Sequence, residues 1–395
     1  MAQRIAEKLG RLDRQSATIL NIFAGAGYEQ VAPPIIQPAS LFLDVVGEQL
    51  RNRTYVFNDP DGEELCLRPD LTVPTCRLHL ERHGLKGDVS AKYCYSGPVF
   101  RYQPGGGDAT HLREFRQEGL EAFSPLDRET TEVEVLTKTL EALKASGLKG
   151  SQLRVGDISI FLALLKAIDM PPRWRDRLRQ SFWRPEAFRA ELKRLTSMPK
   201  AALTGLPEDL IARLDPNDPK AAETEVASYL ADKALEPIGE RSIAEISDSL
   251  LTAAVDARTP ALPASVADLI ERYLAIAAPV RAATARLKDL AREKGLDIGT
   301  ALDAFIRRNE LLTAAGVDLG KAEFSAEFGR NFEYYSGFVF EVVVPSLGPK
   351  SPVAGGGRYD GLMKAVGAAG SIAAVGAAVY SDRLALAIEE ASKGD

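Results

Sequence analysis

Cysteine and histidine are both scarce in this chain. Cys66, Cys76 and Cys94 are an odd number with no C-x-x-C pair among 395 residues, which argues against a disulfide framework and a cysteine-based zinc site and leaves buried thiols as the reading. His79 and His83 stand four apart in HLERH, a spacing that on a helix points two imidazoles the same way, as a metal would require. No third ligand is evident, the glutamate is misplaced for H-E-x-x-H, and Leu78, Leu80 and Leu85 make the stretch an ordinary amphipathic helix, so no metal site is expected. With His111 the one other histidine, no His-based acid/base triad can be assembled. A positive charge excess is also lacking. Lys+Arg total 49 against 55 Asp+Glu, a net charge of −6, which disfavours a large nucleic-acid partner. No window approaches the roughly 18 uncharged apolar residues of a membrane span, and MAQRIAEKLGRLDRQSATIL lacks a signal pattern, so a cytoplasmic protein is expected.

What is present is a globular composition, 45% apolar and 26% charged, long enough for a core and a second lobe. Residues 1–27 read as a helix, with Ile5, Leu9, Leu12, Ile19, Leu20 and Phe23 at helical spacing. EQVAPPIIQ is extended, and TYVFND and ELCLRPD face each other across the turn DPDG. A helix from about Val73 to His83 follows. KYCYSGPVFRYQ and HLREFRQEGLEAF read as two long strands joined by the flexible tip PGGGDAT, and ETTEVEVLTKTLEALKASG as a helix. From about Pro171 to Leu319 the pattern is almost wholly helical and predicts an inserted lobe, 171–319, within a discontinuous core, 1–170 and 320–395. FSAEFGRNFEYYSGFVFEVVVPS then returns to aromatic and β-branched residues. Runs of strands with helices before and after predict an α+β fold around an antiparallel sheet.

Alternation along the strand after the glycine tip places Arg113, Phe115, Gln117, Gly119 and Glu121 on one side. That side is either solvated or the lining of a cleft. Arg101, Gln117, Glu121, Arg330, Tyr334, Tyr335 and Arg358 all sit in otherwise apolar, strand-like surroundings, where an unpaired charge is expensive, so they need each other or a ligand. Internal pairing with Glu118, Glu121, Glu333 or Glu341 is the alternative for the arginines. Gly105–Gly107 lack the K-[ST] ending of a phosphate loop and precede a strand, so they read as a hairpin tip, and Gly355–Gly357 as a turn permitting close packing.

LCLRPDLTVP, FRYQ followed by REFRQEGLEAF, GRNFEYYSGFVFE, AGGGRYDGL and AVGAAVYSDRLALA stand in the order of the signature segments of histidyl-tRNA synthetase, a class II aminoacyl-tRNA synthetase. The resemblance covers about residues 5–390 apart from most of the helical lobe. The sequence is more similar still to that enzyme's non-catalytic relative, the regulatory subunit of ATP phosphoribosyltransferase. The chain stops a dozen residues beyond Arg383, so no anticodon-binding domain is expected and tRNA recognition has little to rest on. Gln103 stands where the synthetase pattern FRYE has a glutamate, and RPDLT replaces RPEGT, making Asp70 one methylene shorter and placing Leu71 at a glycine.

The resemblance implies a histidine pocket of Asp70, Thr72, Arg101, Gln117, Glu121, Arg330, Tyr334, Tyr335 and Tyr359. Within it, Asp70, Thr72, Gln117 and Glu121 take the α-ammonium, which needs acceptors with at least one negative charge. Tyr334 and Tyr335 form the imidazole wall, Tyr359 closes the site, and Arg101 and Arg330 meet the carboxylate. Gln103, Arg113 and Arg383 are implied to line the remnant of a nucleotide pocket, with Asp382 in place of the glutamate usual before that arginine. No catalytic residue, cofactor or metal is implied. The expected partners are histidine as effector and a short-form ATP phosphoribosyltransferase catalytic subunit, in a hetero-octamer acting at the first step of histidine biosynthesis. The alternative is a truncated synthetase-like enzyme that forms histidyl-adenylate.

Overall fold

A computed structural model describes residues 2–43, 48–86, 89–198, 200–235, 242–329 and 334–394. The chain divides into two compact units, Met1–Ala167 with Tyr273–Asp395, and Ile168–Arg272.

The first unit runs α1 (Ala2–Gly25), β1 (Glu29–Gln30), β2 (Ile36–Pro38), α2 (Ser40–Leu43), α3 (Glu48–Arg51), β3 (Tyr55–Asn58), β4 (Glu64–Leu67), α4 (Thr72–His83), β5 (Ala91–Phe100), β6 (Glu114–Phe123), α5 (Arg128–Ala145), β7 (Gln152–Asp157) and α6 (Ile158–Ala167). The second unit is helical, with α7 (Pro172–Ser181), α8 (Pro185–Thr196), α9 (Lys200–Leu203), α10 (Glu208–Arg213), α11 (Pro219–Asp232), α12 (Ile243–Ala257) and most of α13 (Ala264–Leu274). The first unit resumes with β8 (Ala277–Pro279), α14 (Val280–Lys294), α15 (Gly299–Ala314), β9 (Glu323–Ser325), β10 (Phe338–Val343), β11 (Ala354–Arg358), α16 (Asp360–Ala365), β12 (Ala374–Tyr380) and α17 (Ser381–Gly394).

Nine strands form the main sheet in the order β1-β5-β6-β12-β11-β10-β7-β9-β8. Only the β1–β5 and β7–β9 pairs are parallel, so the expected α+β architecture around a mainly antiparallel sheet is what forms. Helices α1, α5 and α17 pack together over one face. Glu118 on β6 points into that layer, fully buried, and accepts hydroxyls from Ser16, Ser96 and Ser381. A second sheet, β2-β4-β3, contains the hairpin turned by DPDG. No helix among the described residues is long and apolar enough to cross a membrane.

The helical unit is shorter than the 171–319 lobe expected from the sequence. Residues 273–319 belong to the first unit: β8 pairs with β9 in the main sheet, and α14 and α15 bury Val280, Ala283, Leu287, Leu302, Phe305 and Leu312. Helical periodicity identifies an apolar face but not the core it meets. Within the second unit, Leu210, Leu214, Val226, Leu250 and Ala254 form a core. Asp256, 1% exposed, gathers Arg173, Arg177 and the Trp174 indole N–H at 2.6–2.8 Å.

Gly355–Gly357 are not a turn but the middle of β11. A Cβ on Gly356 would lie 2.2 Å from the Gly376 carbonyl oxygen, and one on Gly357 2.5 Å from that of Phe338. Close strand approach, which only glycine permits, explains the run.

Candidate functional site

Above β6, β12 and β11, on the face away from α1 and α17, lies a cleft of about 310 Å³ with its mouth included. Its lining comes from distant stretches: Asp70 and Thr72 at the start of α4, Arg101 after β5, Gln117 on β6, Tyr334 and Tyr335 before β10, Tyr359 after β11, and Gly376 and Tyr380 on β12.

The strand register explains the floor. Glu121 lies opposite Gly376, and a Cβ there would fall 1.5 Å from Glu121 Oε2, so the glycine is what admits the carboxylate. Tyr95 lies opposite Gly119, where a Cβ would meet the phenol at 2.4 Å, so the ring can lie flat across the sheet. Tyr95 then donates to Glu121 Oε1 at 2.8 Å, and Tyr359 donates to Oε2. Glu121 is fully buried and stands one layer behind the lining rather than in it. Burial pushes its carboxyl up to about 7, although the two phenols and Thr72 oppose the rise.

Asp70, 3% exposed, accepts Val73 N–H on Oδ1 at 3.1 Å, while its buried Oδ2 has no hydrogen-bond partner among the described residues. Burial raises its pKa against the pull of Val73 N–H and Arg101. A buried carboxylate oxygen left without a donor is costly, and here it lines a cleft. Gln117 accepts Leu71 N–H on Oε1 at 2.9 Å, so the amide offers a ligand mainly its N–H donors. Tyr334 packs at 4.7 Å from Tyr335 and 5.9 Å from Tyr359, centroid to centroid, forming an aromatic wall.

A second cavity of about 370 Å³ adjoins the first and shares Arg101 and Tyr380 with it. Arg53, Gln103, Thr110, His111, Phe115 and Arg383 complete much of its lining. The Arg101 guanidinium donates to Pro69 carbonyl at 2.8 Å and lies 5.2 Å over the Phe115 ring. Arg383 donates to Thr110 carbonyl at 2.6 Å and lies 4.9 Å over Tyr380.

The structure thus brings Asp70, Thr72, Arg101, Gln117, Tyr334, Tyr335 and Tyr359 to one cleft, with Glu121 directly behind it. Gln103 and Arg383 line the second cavity, but the Arg113 side chain is exposed and lines neither; its backbone carbonyl instead accepts Arg101 N–H at 2.8 Å. Arg330 lies outside the described residues. Arg358 points away from the cleft and pairs with Glu132 and Asp360. Leu71 does not line the cleft: its Cδ1 lies 3.8 Å from a Cβ built on Gly97. His79 is buried and stacked on Phe123 at 4.5 Å, and no metal-binding group of His, Cys, Asp and Glu occurs among the described residues. Sequence reasoning missed Tyr95 and Gly376. The hairpin register, which sets Tyr95 against Gly119, was the available signal for the first; none existed for the second.

The profile of the Histidyl-tRNA synthetase family matches residues 5–223 and 221–384. An ATP phosphoribosyltransferase regulatory subunit from Brucella anthropi is 32% identical over 363 residues, covering 92% of this chain and 94% of that protein. One from Brucella canis is 33% identical over 357 residues, covering 90% and 92%. Among solved structures, an ATP phosphoribosyltransferase regulatory subunit/histidyl-tRNA synthetase from Bacillus halodurans superposes with a TM-score of 0.65 at 20% identity, covering 97% of this chain and 80% of that one. A histidine–tRNA ligase subunit from Alicyclobacillus acidocaldarius gives 0.60 at 22% identity, covering 98% and 94%. At these identities the structures establish a shared class II synthetase-like fold.

Proposed function

Because the chain belongs to the family of ATP phosphoribosyltransferase regulatory subunits, built on the histidyl-tRNA synthetase fold, we propose that it is a non-catalytic subunit that senses histidine. Its partner is a short-form catalytic subunit of ATP phosphoribosyltransferase, which it activates and, when histidine is bound, restrains. The observation that carries this reading is the buried Asp70 Oδ2, which has no hydrogen-bond partner among the described residues and lies in a cleft lined on another side by the Tyr334–Tyr335 pair. An α-ammonium supplies the missing donors and the opposite charge.

In this reading Asp70 and Thr72 take the ammonium. Gln117, with its acceptor engaged by Leu71, joins Arg101 on the carboxylate side. The tyrosines hold the imidazole, and Glu121 fixes the Tyr95 and Tyr359 hydroxyls from behind. Feedback inhibition is then a coupling free energy between this cleft and an active site on another chain, typically about 1–3 kcal/mol.

The complex is a hetero-octamer of four regulatory and four catalytic chains, with the regulatory chains paired. Supporting such a pair, the second sheet has one wholly apolar face of Ile36, Pro38, Tyr55, Phe57, Leu65 and Leu67, none of them buried, with Ile36 52% exposed. Partly exposed apolar residues gathered on one sheet face favour association.

The second cavity favours a rival reading in which the chain still forms histidyl-adenylate, since Arg101 and Arg383 there resemble groups for a nucleotide. Calorimetric titration with histidine and ATP–pyrophosphate exchange on the same preparation separate the two. Histidine binding without exchange supports the sensor; robust exchange supports the enzyme; no histidine binding rejects both.

A further inference from the structure

Four buried charges stand behind the sheet, on the side away from the cleft. Arg308 on α15, 3% exposed, donates through Nη1 to Glu132 Oε2 at 2.5 Å and through Nη2 to Asp157 Oδ2. The other oxygen of Glu132, on α5, accepts Arg358 Nε. Arg358 then donates from Nη1 to Asp360 Oδ1 at 3.0 Å and from Nη2 to the Arg128 carbonyl at 3.1 Å, so every nitrogen of its fork is engaged. The paired charges outweigh burial, holding both arginines above and Glu132 below their ordinary pKa values. Such a set contributes little net stability compared with a well-packed apolar replacement, so its value lies in the geometry it imposes.

That geometry bears on the cleft. Arg358 and Tyr359 are consecutive but face opposite ways, the arginine toward α5 and the tyrosine onto Glu121. The Arg358 carbonyl accepts Ser336 N–H at 2.8 Å, and Ser336 Oγ accepts Asp360 N–H at 3.0 Å, which binds the segment carrying Tyr334 and Tyr335 to the same anchor. Asp360 Oδ1 also accepts Ala374 N–H at 2.9 Å. A Cβ on Gly357 would stand 3.0 Å from Tyr335 Cδ1, so the wall rests directly on this strand.

We infer that Glu132, Arg308 and Arg358 are positioning residues for the cleft, setting the Tyr359 hydroxyl on Glu121 and fixing the tyrosine wall from behind the sheet. The inference rests on the cleft being the histidine site. Arg358→Lys keeps a positive charge beside Glu132 but loses the planar fork. A double-mutant cycle with Tyr359→Phe on the full chain, read by calorimetry with histidine, tests it. Each single variant is expected to weaken binding about 10-fold and the double variant also about 10-fold, since both act through one hydroxyl. Wild-type affinity in Arg358→Lys, or an additive loss of about 100-fold in the double variant, overturns the inference. Should Arg358→Lys not fold, Arg308→Lys enters the same cycle.

If the wild-type chain does not bind histidine, the cleft reading fails but the positioning role is still measured through Glu121. The Tyr359 hydroxyl pulls the Glu121 pKa down, so Tyr359→Phe moves the pH-dependent loss of stability to higher pH. Arg358→Lys must reproduce that displacement, and an unmoved profile overturns the inference.

Discussion

Asp70→Asn separates binding from folding at the site. The carboxylate is buried, its Oδ2 has no hydrogen-bond partner among the described residues and its pKa is raised, so ionising it costs stability. Asparagine keeps the Oδ1 acceptor for Val73 N–H at 3.1 Å and removes the buried charge. The unfolding temperature of the variant is therefore expected to equal or exceed that of the wild type. Binding moves the other way. A bond to a charged group contributes about 1.5–3 kcal/mol against about 0.5–1.5 for a neutral one. Losing one partner of a fully buried ion pair costs about 3–5 kcal/mol. Because the cleft opens at its mouth, about 2–3 kcal/mol applies, or roughly 30- to 150-fold weaker histidine binding. Calorimetry gives the affinity and a thermal melt the stability. An affinity within threefold of wild type refutes the assignment of Asp70 to the ammonium, and a large loss of stability refutes the view of it as an uncompensated charge.

Three further outcomes follow from the same structure. Glu121 has a folded pKa of about 7 against an ordinary 4.5, so its favourable contribution is full below about 4.5 and is lost as pH rises through 7. Glu121→Gln should gain on the wild type between pH 5 and pH 8 by an amount of order 3 kcal/mol, measured by denaturant unfolding at both values; a gain independent of pH contradicts the burial argument. Phe57→Glu places a charge on the apolar face of the second sheet and, if that face pairs two copies as proposed, should halve the mass of the isolated chain in sedimentation velocity, while an unchanged mass contradicts pairing through this face. In the helical unit, Asp256→Ala leaves Arg173 and Arg177 facing each other without their carboxylate and should cost about 3 kcal/mol, seen as early loss of helical ellipticity on heating.

Part of the cleft was legible in the residues themselves, through short-range rules, whereas Asp70, Thr72 and Tyr359 were implied only by the resemblance to the family. Period-2 alternation assigns Gln117, Gly119 and Glu121 to one face before any partner strand is known, and the register places that face over the cleft. What the sequence could not show are relations across distance. Glu132 meets Arg308 and Arg358 from 176 and 226 residues away, and no local pattern names such partners. A glutamate on the buried stripe of α5, beside Val133, Val135 and Leu136, was the one available hint. The sequence could place Glu121 on the correct face but not at its depth, which depends on the missing Cβ of Gly376 across the strand pair. The end of the helical lobe was misplaced for a similar reason. Helices α14 and α15 have the same period as those before them, and only β8, three residues long, betrays their return to the sheet.

The most direct test of histidine sensing is the phosphoribosyl-transfer rate of a short-form catalytic subunit, measured with and without this chain across a range of histidine concentrations. Activation on mixing, followed by saturable inhibition that is weakened at least 30-fold by Asp70→Asn, is the predicted result. A rate that rises on mixing yet ignores histidine, or is inhibited equally through the Asp70→Asn chain, contradicts it.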